Sequence, residues 1–130
     1  MGDIFGATIP FADLCGIEAI GEVDGVTRLR VTLAQEHGNN IGIAHGGLVP
    51  TLLDIAMGTA ARIAAGATVM TVDMHVAYMA VGHGVLIGEG RVVRAGRSII
   101  FAEADVRDLE GVLVARASGI FKRAAAPKAA

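Results

Sequence analysis

The chain has no tryptophan, a single tyrosine and a single cysteine among its 130 residues. One cysteine cannot build a disulfide framework, so a reducing cytoplasm is the expected setting. Cys15 has no evident base partner in the sequence and reads as a structural thiol. Charge is sparse: charged residues make up 18% of the chain, the formal net charge is −2 and the pI is near 6.0. No basic field is available to hold a nucleic acid. Arg91, Arg94, Arg97, Arg107 and Arg116 nevertheless gather in the C-terminal half and leave scope for a local anion site. The strongly apolar windows are broken by Asp54, Arg62 and Asp73, and none reaches the ~20 residues of a membrane span. The opening MGDIFGATIP lacks the basic region and apolar run of a secretory signal. Gly6 stands where a myristoylation motif requires Ser or Thr.

Several catalytic signatures are missing as well. The only serines are Ser98 and Ser118, and neither sits in a nucleophile elbow. His37, His45, His75 and His83 form no H-x-x-x-H pair and adjoin no cysteine pair, which argues against zinc. Neither a metal nor a cofactor is expected.

What the chain has in quantity is apolar side chains, at 53%. A chain of this length makes one domain, here 1–130, with a lead over 1–15 and a tail over 124–130 that reads as flexible. So much apolar surface on so small a domain suggests an oligomer, in which a further face is buried. PFADLCG fits a short helical turn. Strands are predicted over 17–23 and 26–34, split by Asp24-Gly25, a favoured two-residue hairpin turn. AQEHGNNIGIAHGG reads as a loop.

The stretch AHGGLVPTLLDIAMGTAARIAA, 44–65, reads as one helix that is apolar nearly all round. Leu48, Leu52, Ile55, Thr59 and Ile63 share one face; Val49, Leu53, Met57, Ala60 and Ala64 line much of the rest. Pro50 lies near enough to the start to be tolerated, and Gly66 closes the helix. In TVMTVDMHVAYMAV, strict alternation puts Met70, Val72, Met74, Val76 and Tyr78 on one side. Val69, Thr71, Asp73, His75 and Ala77 fall on the other. Three further strands follow, with turns at Ala95-Gly96 and Glu110-Gly111. The order β-β-α-β-β-β-β with short hairpins predicts an α+β domain whose curved, mainly antiparallel sheet wraps around one long central helix.

Asp54 stands out because this helix has no polar face for it to belong to. A carboxylate there is costly to bury unless it is paired or hydrogen-bonded, which makes it a candidate for chemistry. His45-Gly46-Gly47 lies at the helix N-terminus, whose free amides and positive dipole end can hold a carbonyl oxygen as it gains charge. Asp54 is eight residues beyond Gly46, about 12 Å along the helix axis. One chain can hardly use both at one reacting carbon. A two-fold dimer with antiparallel helices brings Asp54 of one copy beside Gly46 of the other. Asp73 and His75 share a strand face and form a weaker candidate pair. Arg94 and Arg97 flank a hairpin turn and are candidates for phosphate.

The stretch HGNNIGIAHGGLVPTLLDIAMGTAA, followed by TVDMHVAYMAVG, resembles the hot-dog-fold acyl-CoA thioesterases of the phenylacetic-acid-degradation (PaaI-like) type. RVVRAGRSIIFAEADVRD is also similar, and the resemblance covers roughly 16–123. It implies a hot-dog fold, a double-hot-dog dimer with a continuous sheet, and often a tetramer built as a dimer of dimers. It also implies roles. Asn39 matches a loop Asn that helps hold the thioester, and the Gly46 amide matches the oxyanion donor. Asp54 matches the carboxylate that serves as general base or nucleophile, and Thr71 matches a Ser or Thr beside the attacking water. His45 matches in position, as a loop support more than a substrate contact.

The implied function is hydrolysis of a small aromatic or short- to medium-chain acyl-CoA. Gly47 belongs to the substrate-binding helix start, and the coenzyme A phosphates are assigned to Arg94, Arg97, Lys122 or Arg123. The acyl pocket is expected among Leu48, Leu52, Ile55 and Met57, with room left by Ala56, Gly58 and Ala60. The alternative is a non-catalytic acyl-CoA-binding or regulatory protein, which would keep the cleft and could dispense with Asp54. Hot-dog hydratases would need a different helix motif, which is not present.

Overall fold

Asp24 and Gly25 both take left-handed backbone conformations, at φ 52° and 81°, as a two-residue hairpin requires. They join β1 (Ile17–Val23) to β2 (Val26–Thr32). The computed structural model describes residues 2–124. A short helix α1 (Pro10–Cys15) precedes the hairpin, and a single 3₁₀ turn over Gln35–His37 follows it. Then come the long helix α2 (Leu48–Ala65) and four strands: β3 (Val69–Tyr78), β4 (Val85–Ala95), β5 (Ile99–Asp108) and β6 (Leu113–Arg123). The strands form one sheet in the order β1-β2-β4-β5-β6-β3, every pairing antiparallel. The sheet curves around α2, as the α+β reading expects.

The helix begins at Leu48, later than the run 44–65 suggests. His45, Gly46 and Gly47 form a turn instead, closed by the Leu48 N–H donating to the His45 carbonyl at 3.0 Å. Pro50 therefore falls in the first turn, where no intrahelical N–H is lost. At the far end Gly66 takes the left-handed conformation, and its N–H caps the Arg62 carbonyl. Leu52, Leu53 and Met57 are fully buried, whereas Ile63 and Ala64, expected on covered faces, are exposed. The helix is apolar and long enough to cross a membrane by composition alone, but ten of its residues are buried within this domain.

Two glycines in β4 let the helix lie against the sheet. A Cβ on Gly90 would stand 2.2 Å from the Ala56 carbonyl oxygen, and one on Gly88 would stand 2.9 Å from Leu52. Beside them the buried Thr27 hydroxyl donates to the same Ala56 oxygen at 2.8 Å. The N-terminal lead is tied into this core. Ile4 is fully buried, and the Arg62 guanidinium donates to the carbonyls of Ile4 and Phe5 at 2.8 and 2.9 Å. The expected tail is described only at Ala124, whose N–H donates to the Thr68 carbonyl; 125–130 lie outside the described residues.

β3 departs from strict alternation. Its pairing with β6 runs from Thr71 opposite Phe121 to Asp73 opposite Ile120, which leaves Val72 as an extra residue. This bulge reverses the faces beyond it. Phe121, Gly119 and Ala117 face the helix, and so do their partners Thr71, Met74 and Val76. The predicted grouping of Thr71 with Asp73 and His75 is therefore corrected: Thr71 points to the helix and the other two to the outer face.

Candidate active site

Two separate clusters carry the predicted residues. In the first, Thr71, just before the bulge, faces the middle of α2, and its hydroxyl donates to Asp54 Oδ1 at 2.7 Å. Asp54 is half-buried, and this bond leaves Oδ2 as the oxygen free to accept from another group. Both residues border a cavity of about 270 Å³ together with Ile55, Gly58, Val69 and Phe121.

The second cluster is built by the loop before α2 and the end of β3. Asn39 Oδ1 accepts the N–H groups of Ile41 and Ile43, at 3.0 and 3.3 Å. That wraps the loop around Asn39 and leaves its Nδ2 free of these bonds as a donor. The loop is fastened at its ends by Ala44 N–H to the Gly82 carbonyl and His45 N–H to the His37 carbonyl. Gly47 N–H donates to His45 Nδ1 at 2.9 Å, and the Tyr78 hydroxyl donates to the Gly46 carbonyl. Asn39, Gly46 and Tyr78 border one cavity of about 210 Å³. Tyr78 is a residue of this cluster that the sequence reading did not single out. The signal was there in the chain's only tyrosine closing β3, but its orientation depends on the bulge.

A profile of the thioesterase superfamily matches residues 41–115, the stretch that holds Gly46, Asp54, Thr71 and Tyr78. A Halobacterium salinarum protein, whose name assigns it as an esterase, is 36% identical over 120 residues, covering 82% of this chain and 80% of its own. Human acyl-coenzyme A thioesterase 13 is 30% identical over 106 residues, covering 77% of this chain and 74% of its own. The chain belongs to the thioesterase superfamily. The solved structure of a conserved Pseudomonas aeruginosa protein aligns at TM-score 0.85 and 28% identity, over 90% of this chain and 95% of that one. The PaaI protein from the phenylacetic acid degradation operon of E. coli aligns at TM-score 0.84 and 19% identity, over 90% and 86%. At that identity the likeness speaks for the fold, which is the hot-dog fold. The chain is a thioester hydrolase.

Other candidates in this thioesterase fall elsewhere. Asp73 and His75 sit on the outer sheet face with Phe101, Glu103 and Ser118, away from Asp54. On that face Asp105 accepts from Arg116 Nε at 2.7 Å and Arg91 Nη2 at 3.4 Å. Burial raises the Asp105 carboxyl, but the Arg116 hydrogen bond and the charges of Arg91, Arg116 and Arg107 outweigh it and hold it below its ordinary value. Arg94 and Arg97 are exposed at the β4–β5 turn. Since Gly88 faces Leu52 and Gly90 faces Ala56, that turn lies towards the C-terminal end of α2, away from Gly46 in the same chain. Arg123 Nη1 donates to the Ala65 carbonyl at 2.7 Å, at the end of α2.

Of the acyl-pocket residues expected on α2, Ile55 and Gly58 border the cavity beside Asp54. Leu52, Ala56 and Met57 instead pack against the sheet, where Gly88, Gly90 and Gly119 leave space for them. Burial pushes the Cys15 thiol up, which disfavours the thiolate and fits a structural role. His37 is also occupied: Nδ1 accepts the Ala34 N–H, and Nε2 pairs with the Cys15 carbonyl.

Proposed function

We propose that this protein hydrolyses acyl-CoA thioesters at a site shared between two copies of the chain. The observation that carries the reading is the division of the site. Asp54 with Thr71, and Gly46 with Asn39, border separate cavities. Two half-sites on one chain call for a second chain to complete each. Of the two edge strands of the sheet, β1 and β3, the second suits that pairing because it also carries Thr71 and Tyr78. Its open backbone groups can continue the sheet into a partner, and Met70 and Val72 are exposed along it. Exposed Val93 and Phe101 on the outer face give a second dimer something to cover in a tetramer.

In this reading the thioester carbonyl accepts from the Gly46 N–H, and Asn39 Nδ2 helps hold it. Asp54 of the other copy takes a proton from water through Oδ2 while Thr71 fixes Oδ1. The water oxygen bonds to the carbonyl carbon, and the resulting oxyanion is stabilised by the Gly46 amide and the N-terminal end of α2. Collapse breaks the carbon–sulfur bond. Coenzyme A leaves as the thiolate and recovers the proton from Asp54. The acyl chain lies in the cavity by Ile55, Gly58 and Phe121. The name of human acyl-coenzyme A thioesterase 13 supports the choice of substrate class.

The test is thiol release from phenylacetyl-, hydroxybenzoyl-, butyryl- and octanoyl-CoA, with wild type beside Asp54→Asn. Wild type should turn over at least one of them, and the variant should lose on the order of 10³-fold in kcat with an unchanged melting temperature. Binding without turnover by wild type would favour a non-catalytic acyl-CoA binder. Equal rates in the two proteins would remove Asp54 from the mechanism.

A further inference from the structure

Two successive glycines give the 45–47 turn unusual freedom, because neither has a Cβ to restrict φ and ψ. Left alone, the peptide between Gly46 and Gly47 could rotate and swing the neighbouring amide with it. In this structure both ends of that peptide are held by side chains. Its carbonyl accepts from the Tyr78 hydroxyl, and its N–H donates to His45 Nδ1. The preceding peptide is held at its carbonyl by the Leu48 N–H. Among the described residues, the Gly46 N–H is the one polar group of these two peptides without a partner. A donor left open while its surroundings are fixed is what a preorganised oxyanion hole requires.

We infer that Tyr78 is a positioning residue for the oxyanion donor: its hydroxyl locks the Gly46–Gly47 peptide, from the side opposite His45, so that the Gly46 N–H stays aimed at the developing oxyanion. The inference rests on the reading of Gly46 as that donor. It also assigns His45 a definite task. Nδ1 accepts the Gly47 N–H, so the imidazole works as the second jaw of the clamp. The space is matched to it, since a Cβ on Gly47 would stand 3.2 Å from Nδ1. Tyr78 reaches Gly46 because the bulge at Val72 turns the end of β3 towards the helix side. One strand therefore serves both half-sites, carrying Thr71 to Asp54 before the bulge and Tyr78 to Gly46 after it.

The experiment compares wild type, Tyr78→Phe, His45→Ala, the double variant and Asp54→Asn on phenylacetyl-CoA and octanoyl-CoA. Phe keeps the ring that borders the cavity and deletes only the hydroxyl. Tyr78→Phe should lower kcat by about 10-fold, less than the 10²–10³ of losing an oxyanion donor outright, with KM changed less than twofold. Because both jaws hold one peptide, the double variant should lose clearly less than the product of the two single losses. A wild-type kcat in Tyr78→Phe, or a rise in KM alone, would overturn the inference while an inactive Asp54→Asn left the site reading intact. Multiplicative losses would overturn it too, and they can be read from the His45 pair even where Tyr78→Phe lowers the melting temperature. Full activity in Asp54→Asn would bring down the site reading and this inference with it.

Discussion

Asp105 lies on the outer sheet face, 7% exposed, with Arg116 and Arg91 on its two oxygens. Its carboxyl is held below the ordinary range because the arginines outweigh the burial that acts against the charge. A carboxylate whose folded pKa is depressed adds stability above its unfolded pKa of about 3.9, and that contribution fades as pH falls through the folded value. Asp105→Asn should therefore cost about 2 kcal/mol at pH 7, the worth of a hydrogen bond to a charged partner. The gap from wild type should narrow as pH falls below about 5 and close only once pH has passed through the depressed folded value. Denaturant unfolding across that range measures it, and a gap that stayed constant with pH would mean that the charge of Asp105 is not what stabilises. Asp54 is the contrasting case. It is only half-buried and has one neutral partner, Thr71, so its charge should contribute far less to stability than that of Asp105.

At the level of elements, the contact between α2 and β4 sets how close the helix lies to the sheet. The Gly90 position is filled by helix backbone, and a Cβ there would stand 2.2 Å from an Ala56 oxygen that cannot swing away like a side chain. Gly90→Ala should destabilise by about 3 kcal/mol or more, at the top of the range for overpacking. Gly21→Ala in β1 has no atom within 4 Å of the added Cβ and should be close to neutral. Paired thermal melts decide, and equal stabilities would show that the helix can simply lift.

The same elements explain what could be read in the sequence. The helix, the Asp24-Gly25 hairpin and the later strands were legible because period and turn chemistry are local. Asp54 was legible as a carboxylate on an apolar helix, and Gly46 as an amide at that helix's start. The partnership of Thr71 with Asp54 came from the resemblance, because strict alternation groups Thr71 with Asp73 and His75. The bulge at Val72 was not legible: an extra residue is set by the pairing of β3 with β6, and a valine carries no mark of it. The bonds of Tyr78 and Arg123 were not legible for a related reason, since each goes to a backbone carbonyl far away in sequence.

For the whole molecule, the question is whether one chain can supply a complete site. Gly46 lies in the turn before α2 and Asp54 in the second turn of the helix, and the two border different cavities. The proposed β3-edge dimer resolves this by giving each site a donor from one copy and a carboxylate from the other. That arrangement makes a prediction no single-chain site can meet. Gly46→Pro deletes the donor N–H and Asp54→Asn deletes the base, so each variant alone should be inactive. In a mixed dimer, one site unites the intact Gly46 of one chain with the intact Asp54 of the other, and the second site holds both lesions. Random pairing at equal amounts makes about a quarter of all sites intact, whether dimers stand alone or pair into tetramers. Co-expressing the two variants should therefore restore about a quarter of wild-type thiol release. If the co-expressed proteins pair, as differential tags on the two chains would report, and yet stay inactive, the site lies within one chain and the dimer reading falls.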